Sequence, residues 1–551
     1  MKWKIKGIGA VAAAASMILA MAACGGSGAT GSASRPLTFG KPDGPQTNNS
    51  NPFLGTSAAS VQGYRYAIYE TLVQINDVKP TQKPVPWLAT QWQWNSDYTS
   101  VSFTIRKGVK WSDGKPLTAA DVAFTFNLVK DNPALNTGSI PFKNVSTSGD
   151  TVTVTFTQNQ YVHMSSLYQQ FIVPEHIWKT AGDPSKFLDK NPVGTGPYVL
   201  KTWSTQGVTL TANSQYWGGA LKVPTIRYIE YNDNTALTSA MTAGEVDHGF
   251  VYIANYKSAW LAKNSKNVAW YPSTLGNTTL FLNNAKGAFS DLAFRQAASM
   301  VIDRSALSKQ GTTGASSPIT SVTGLPSSGA SFIGKKYKGK DFKVDASGAK
   351  EILTKAGYTG VGTNNGLKTP KGQLVTIDLT DPSGWSDYDT ELQLIGSQLQ
   401  SLGAKVTVQN PSYDTWNEQI AKGDFDAALH WTDSGFTPYN IYLDTMGDTF
   451  YKPIGTDANY NFGRFQSPEA SAALKDYASA TTDAQRAKDL DIIQTIYVDQ
   501  VPVIPVLEVP VWGNYTNRNY TGWPSAANPY ANINMTTPAE TLVLTKLKPA
   551  K

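Results

Sequence analysis

One cysteine in 551 residues, at position 24, is the tightest constraint on this chain. No intrachain disulfide can form and no multi-cysteine zinc or iron–sulfur centre can be built, so a packed core must hold the fold. The four histidines, His163, His176, His248 and His430, share no ligand spacing. No metal and no other cofactor is therefore expected. Material for a core is plentiful, with 41% hydrophobic residues that include 15 Trp, 26 Tyr and 20 Phe. Aromatic side chains in such numbers belong to a core or to a cleft that stacks on a ligand. The net charge is +6, half of it carried by Lys2, Lys4 and Lys6. The remainder is too weak and dispersed for a nucleic-acid partner.

The cysteine follows a characteristic leader. A basic start is succeeded by an uncharged run over 8–23 that is rich in Ala, Met, Leu and Ile. This run is shorter than the roughly 20 apolar residues that span a bilayer, and it has the layout of a secretory signal. The segment 19–26 (LAMAACGG) resembles the bacterial lipobox, with Met21 where Leu is usual. The resemblance implies that 1–23 is a lipoprotein signal peptide and that Cys24 is acylated as the mature N-terminus. Residues 24–35 then form a flexible Gly/Ser tether. The expected location is the extracellular face of the cell membrane, Gram-positive type, with the lipid anchor as the only membrane contact.

Beyond the tether, helical and strand periodicities alternate. Strands are expected at 37–39, 98–106, 151–156, 198–201, 280–283, 405–408, 427–431 and 501–509. Helices are expected at 61–73, 119–129, 235–243, 291–305, 345–356, 388–402, 416–421, 468–480 and 483–498. Thr118 followed by Asp121 has the spacing of a capping box for the helix at 119. With no obvious linker and no internal repeat, the pattern is that of a mixed α/β chain whose lobes share chain crossings.

The segment 109–122 (VKWSDGKPLTAADV) is close to the signature of family 5 extracellular solute-binding proteins, the oligopeptide, dipeptide and nickel type receptors of ABC importers. Further segments fit that family in order: 51–53 (NPF), 69–72 (YETL), 86–89 (PWLA), 194–198 (GTGPY), 244–247 (GEVD), and 294–297 (FRQA) with 302–304 (IDR). The signature residues read as structural: Trp111 buried before a turn, Asp113-Gly114 making the turn, and Thr118 capping a helix. The resemblance implies a two-lobe, type II periplasmic-binding-protein-like α/β fold in its large family 5 form, hinged around a central cleft. Lobe I would comprise 36–54, 192–276 and 508–551, with an extra subdomain at 55–191. Lobe II would comprise 277–507. The implied partners are an ABC permease and its ATPase, and a monomer is expected.

The same resemblance implies ligand residues. In the family's peptide receptors, a Trp, then Asp, then Pro motif lies at the cleft, with the Asp pairing with the peptide's amino terminus. The segment 430–438 (HWTDSGFTP) places Trp431 and Asp433 in similar roles, at a spacing that differs by one residue. Tyr413 and Trp416 fall where the family has a cleft aromatic. Ser57 falls in an early loop facing the ligand, Asn277 at the crossing between lobes, and Trp270 and Tyr271 just before it. Some relatives carry an Arg shortly before the cleft Trp, whereas this chain reads DAALH over 426–430. Nothing local replaces that planar fork for a ligand carboxylate.

Oligopeptide capture is the leading expectation. The alternative is an oligosaccharide stacked on Trp and Tyr in the same receptor role. A secreted glycan-acting enzyme or a non-transport surface sensor stands further off. No Gly-x-Ser-x-Gly elbow or His-Glu-x-x-His pair is present, and 329–336 (GASFIGKK) is a chance near-match to a phosphate loop, with Lys where Ser or Thr is needed. No catalytic residue is proposed.

Overall fold

The computed structural model describes residues 35–551 apart from Thr81 and Ser139. The signal segment 1–23, Cys24 and all but the end of the tether lie outside the described residues. No helix among the described residues is long and apolar enough to cross a membrane.

Three sheets carry the architecture. The first has seven strands in the order Asn267–Trp270, Gly513–Thr516, His248–Gly249, Leu37–Lys41, Thr225–Glu230, Gly207–Ala212 and Tyr198–Ser204. Leu37–Lys41 lies at its centre, parallel to both neighbours, and is buried along almost its whole length. Such burial on both faces fits a strand covered by helices and loops on each side. The second sheet has five strands in the order Lys405–Gln409, Thr376–Thr380, Ala427–Trp431, Ser273–Leu282 and Val503–Pro510. The third is a four-stranded antiparallel sheet, Ala89–Trp94, Ser100–Ile105, Thr151–Phe156 and Phe142–Ser148, backed by the helix Ala119–Asp131. Each sheet has its own apolar cluster, and a further one, rich in Tyr and Phe, packs the helices beside the second sheet.

The chain passes between the first two sheets twice, side by side. Asn267–Trp270 of the first sheet leads through two residues into Ser273–Leu282 of the second, and Val503–Pro510 of the second leads through two residues into Gly513–Thr516 of the first. The crossings are paired on both sides, Trp270 with Gly513 and Ser273 with Pro510. Two adjacent short connections between rigid sheets have the form of a hinge, in which a few residues absorb the backbone change.

The signature segment behaves as expected locally. Trp111 is fully buried, Gly114 takes φ +90° in the turn, and Asp121 accepts from both the backbone N–H and the hydroxyl of Thr118 at 2.9 Å. Three expected elements differ. The helix expected over 61–73 is two short helices, Ala58–Gln62 and Arg65–Ile68, broken at Gly63, which adopts φ +95° against the carbonyl of Met535. The helix expected over 291–305 ends at Val301, where Ile302 turns extended and Asp303 caps a new turn by accepting from Ala306 N–H at 2.9 Å. The strand expected over 280–283 begins at Ser273, because its first half, rich in Ser, Thr, Gly and Asn, is buried on both faces and shows no alternation.

Candidate functional site

The strand Ala427–Trp431 ends at an aromatic wall. His430 is 6% exposed and packs against two indoles, with Trp431 stacked at 4.0 Å between centroids and Trp416 at 5.5 Å. Its Nδ1 is 2.7 Å from the carbonyl of Trp431, so this nitrogen carries the proton and donates. Burial holds the imidazole down to about 4, which keeps it neutral near pH 7. The wall continues through Trp385, 5.7 Å from Tyr413 and 6.3 Å from Trp431, and through Tyr460, 5.9 Å from His430. Trp416 is fully buried, whereas Trp431, Tyr413, Trp385 and Tyr460 remain partly open to solvent.

Asp433 stands at the edge of this wall. Its carboxylate accepts from the Tyr460 hydroxyl at 2.7 Å, and its backbone N–H donates to Asp444 Oδ2 at 2.7 Å. The residue is solvent-exposed yet closely surrounded by protein, the signature of a concave surface, and this surrounding raises its carboxyl above the ordinary value. Asp444 beneath it is 2% exposed and pushed well above the carboxylate range by burial and then by the charge of Asp433. Of the two, Asp444 is pushed further towards its neutral form than Asp433. Neither acid forms an ion pair among the described residues. An accessible carboxylate beside aromatic faces, with no cation to neutralise it, can receive a ligand ammonium or the hydroxyls of a polyol.

Asn277 underlies this region without facing it. It is fully buried, its Nδ2 donates to Gly324 O at 2.8 Å, and its Oδ1 accepts from Thr279 at 2.7 Å and Thr432 at 3.1 Å. Thr432 N–H also donates to Asn277 O at 2.9 Å, so the Asn277 backbone and side chain both anchor the residue preceding Asp433. Ser57 is fully buried at the start of the helix Ala58–Gln62, where its hydroxyl donates towards Asn51 O at 2.8 Å and Leu54 O at 2.9 Å and accepts from Ser60 N–H. Its polar capacity is filled inside the fold. Trp270 and Tyr271 belong to the crossing. The Tyr271 hydroxyl donates to Asn514 Oδ1 at 2.5 Å, and its ring meets Trp512 of the return crossing at 5.2 Å.

The structure thus brings Tyr413, Trp416, Trp431 and Asp433 together, sets Asn277 beneath them, and places Trp270 and Tyr271 at the hinge and Ser57 in the framework of the first lobe. Two wall residues, Trp385 and Tyr460, were missed from sequence. Each lies in a loop or at a helix start, with no periodicity to mark it. Asp43, just after the central strand of the first sheet, lies near enough to Tyr413 to add to the upward push that burial gives its phenol. The wall therefore faces the first lobe. Among the described residues no group of three or more His, Cys, Asp or Glu is placed to hold a metal ion.

Comparisons with known proteins agree with this architecture. The oligopeptide-binding protein AppA of Bacillus subtilis is 27% identical over 413 residues, covering 72% of this chain and 73% of its own. Among solved structures, a mannohexaose-bound periplasmic oligopeptide-binding protein of Thermotoga maritima superposes with a TM-score of 0.82 at 23% identity, covering 94% of this chain and 99% of the other. AppA in complex with a nonapeptide gives a TM-score of 0.79 at 22% identity, with the same coverages of 94% and 99%. These neighbours share the two-lobe, type II fold. The model of the bacterial extracellular solute-binding proteins, family 5, matches residues 83–452, well over half of the sequence, and the chain belongs to that family.

Proposed function

We propose that the chain is the lipid-anchored receptor of an ABC importer that captures oligopeptides between its lobes by hinge closure and delivers them to the permease. The observation that carries the peptide reading is Asp433, an accessible and unpaired carboxylate steadied by Tyr460 beside Trp431 and Tyr413. It suits a ligand ammonium, while the aromatic faces accept side chains of many shapes. The name of AppA and its nonapeptide complex support the same class. Trp431, Asp433 and Tyr413, joined by Tyr460, are the proposed contacts, with Trp416 and Asn277 supporting them from below. The strand membership of the sheets supports a division of this kind, 36–54 with 192–276 and 508–551 against 277–507, but with the crossings at 271–272 and 511–512, a few residues from those limits. Anchoring through Cys24 remains part of the proposal and rests on the lipobox resemblance alone.

A second reading has its own observation. The wall is almost entirely aromatic, with no Arg or Lys in an ion pair with its acids, and it could stack pyranose rings. The mannohexaose-bound neighbour supports that alternative. Native mass spectrometry of residues 25–551, before and after mild unfolding, separates the two. A spread of released peptide masses supports the first reading, and a single hexose-series mass overturns it in favour of the second. A bound oligosaccharide returned cleaved would instead make the chain an enzyme.

A further inference from the structure

The lobes meet through an exchange of apolar side chains that lies outside the hinge. The turn Tyr161–His163 belongs by sequence to the subdomain of the four-stranded sheet. Its Val162 is absent from that subdomain's apolar cluster and is buried instead in the aromatic cluster of the second lobe, with Tyr439, Leu474 and Tyr477. Tyr161 packs on the same cluster, beneath the guanidinium of Arg486, which lies 3.7 Å from its ring centroid. Arg486 is fixed in turn by donating to Ala480 O and Asp483 Oδ1, each at 2.7 Å. The His163 ring meets Tyr439 edge-on at 6.5 Å.

The exchange is reciprocal. Phe436, three residues beyond Asp433 on the second lobe, packs into the apolar cluster of the subdomain, with its ring 6.4 Å from Tyr168. Each body thus lends an apolar side chain to the other's cluster, Val162 buried and Phe436 half-buried. Away from the hinge the lobes also share polar contacts: Asn234 Nδ2 donates to Ser386 Oγ and Asp387 Oδ1 at 3.2 Å and its backbone N–H to Gly384 O at 3.2 Å, Asn255 N–H donates to Thr313 Oγ1 at 3.3 Å, and Asn159 Nδ2 donates to Ala480 O at 3.5 Å. Separating the lobes would replace those bonds with water at little cost. It would, however, strip apolar cover from both Val162 and Phe436, which water does not compensate.

We propose that Val162 and Phe436 form a clasp that holds the lobes closed in the absence of ligand, and that releasing it moves the loop carrying Asp433. The clasp does not depend on which solute fills the cleft. It would make opening, rather than encounter, the step that governs ligand exchange, because only the fraction of molecules with the clasp undone is open to entry.

The test uses the full chain with Cys24→Ser and spin labels at Lys201→Cys and Lys405→Cys, exposed positions on the first and second sheets. Ligand is removed by unfolding and refolding, and the inter-label distances are measured by pulsed electron resonance. The parent is expected to show one dominant short distance, and Val162→Asp is expected to move more than half of that population to longer distances. Phe436→Ala, which leaves the second lobe's own core intact, should do the same to a smaller extent, and it replaces Val162→Asp if that variant does not refold. A purely structural role would lower the melting temperature without lengthening the distance. Distances in a folded variant that superpose on the parent's, or a parent already broad without ligand, would overturn the clasp.

Discussion

The indole of Trp431 lies on the imidazole of His430, centroids 4.0 Å apart and planes 20° from parallel, at the last residues of one strand. His430 is closed off on its other contacts by Trp416, at 5.5 Å, and Phe462, at 4.9 Å. One indole of the pair around this histidine is therefore core and the other is half-exposed. Trp416→Ala should cost about 3–5 kcal/mol of unfolding free energy, the usual range for removing a buried Trp. Trp431→Ala should leave the melting temperature nearly unchanged and weaken ligand binding about tenfold, which corresponds to roughly 1.4 kcal/mol. Chemical denaturation, and calorimetric titration with whichever ligand native mass spectrometry releases, check the two halves.

Asp433→Asn keeps the shape of the side chain and the Tyr460 contact while removing the charge. For a ligand with an amino group, affinity should fall about 10- to 100-fold, because hydrogen bonds to charged groups contribute about 1.5–3 kcal/mol. For a neutral saccharide the change should be under about tenfold by the same scale. Titration of both ligand classes against the one variant distinguishes them, and an unchanged affinity for a peptide would remove Asp433 from the site.

Asn277→Ala leaves Gly324 O without its side-chain donor and the Thr279 and Thr432 hydroxyls without their acceptor, while Thr432 Oγ1 still accepts from the backbone N–H of residue 277 at 3.1 Å. A loss of about 3 kcal/mol in stability is expected, since buried polar groups left unpaired each cost about 1–3 kcal/mol. Equilibrium urea unfolding measures it. A neutral result would mean that the bonds around Asn277 do not brace the two strands and the Asp433 loop.

Glu70 supplies a pH dependence of known sign. It is fully buried and accepts from Trp87 Nε1 at 2.7 Å, Trp217 Nε1 at 2.9 Å and Tyr216 Oη at 3.1 Å. Burial outweighs these donors and pushes its carboxyl up to about 7. The folded form therefore holds a proton that the unfolded chain releases near pH 4–5. Its contribution is fully present below that range and is lost as pH rises through 7, on the order of 3 kcal/mol in all. Glu70→Gln should remove this slope, so the variant should gain on wild type by up to about 3 kcal/mol as pH rises from 4.5 through 7. His163 and His430, each held down to about 4 by burial, act with the opposite sign. Their contribution is lost as pH falls from the unfolded value towards 4. A variant that retains the full wild-type slope would exclude Glu70 as its source.

Gly194→Ala should destabilise by about 3 kcal/mol, because a Cβ there would drive into the Ile68 carbonyl, a backbone atom that cannot move aside as a side-chain tip would. Thermal unfolding is the check.

Local burial was legible where it repeats along the chain. The alternation in Thr151–Phe156 and the one-sided apolar spacing of Leu292–Val301 marked a strand and a helix whose inward faces the structure buries. The turn at Gly114 and the cap at Thr118 were readable because both act within a few residues. The ten-residue strand Ser273–Leu282 was only half visible, since burial on both faces erases the alternation by which a strand is recognised.

The sequence by itself marked many of the helices and strands, though not strands such as Ala89–Trp94, Gly207–Ala212, Thr225–Glu230 and Thr376–Thr380, together with the signature that identifies the family and a short run, His430 to Asp433, that carries two of the proposed ligand residues. Only the tertiary structure decided that Trp385 and Tyr460 join that run, that Asn277 is turned inward to Gly324 and Thr432, and that Val162 and Phe436 are exchanged between bodies. The physical reason is range. Hydrogen-bonded turns and amphipathic periods are set by neighbours three or four residues away, whereas a cleft wall and a clasp are made by residues hundreds of positions apart, whose meeting depends on how whole sheets pack.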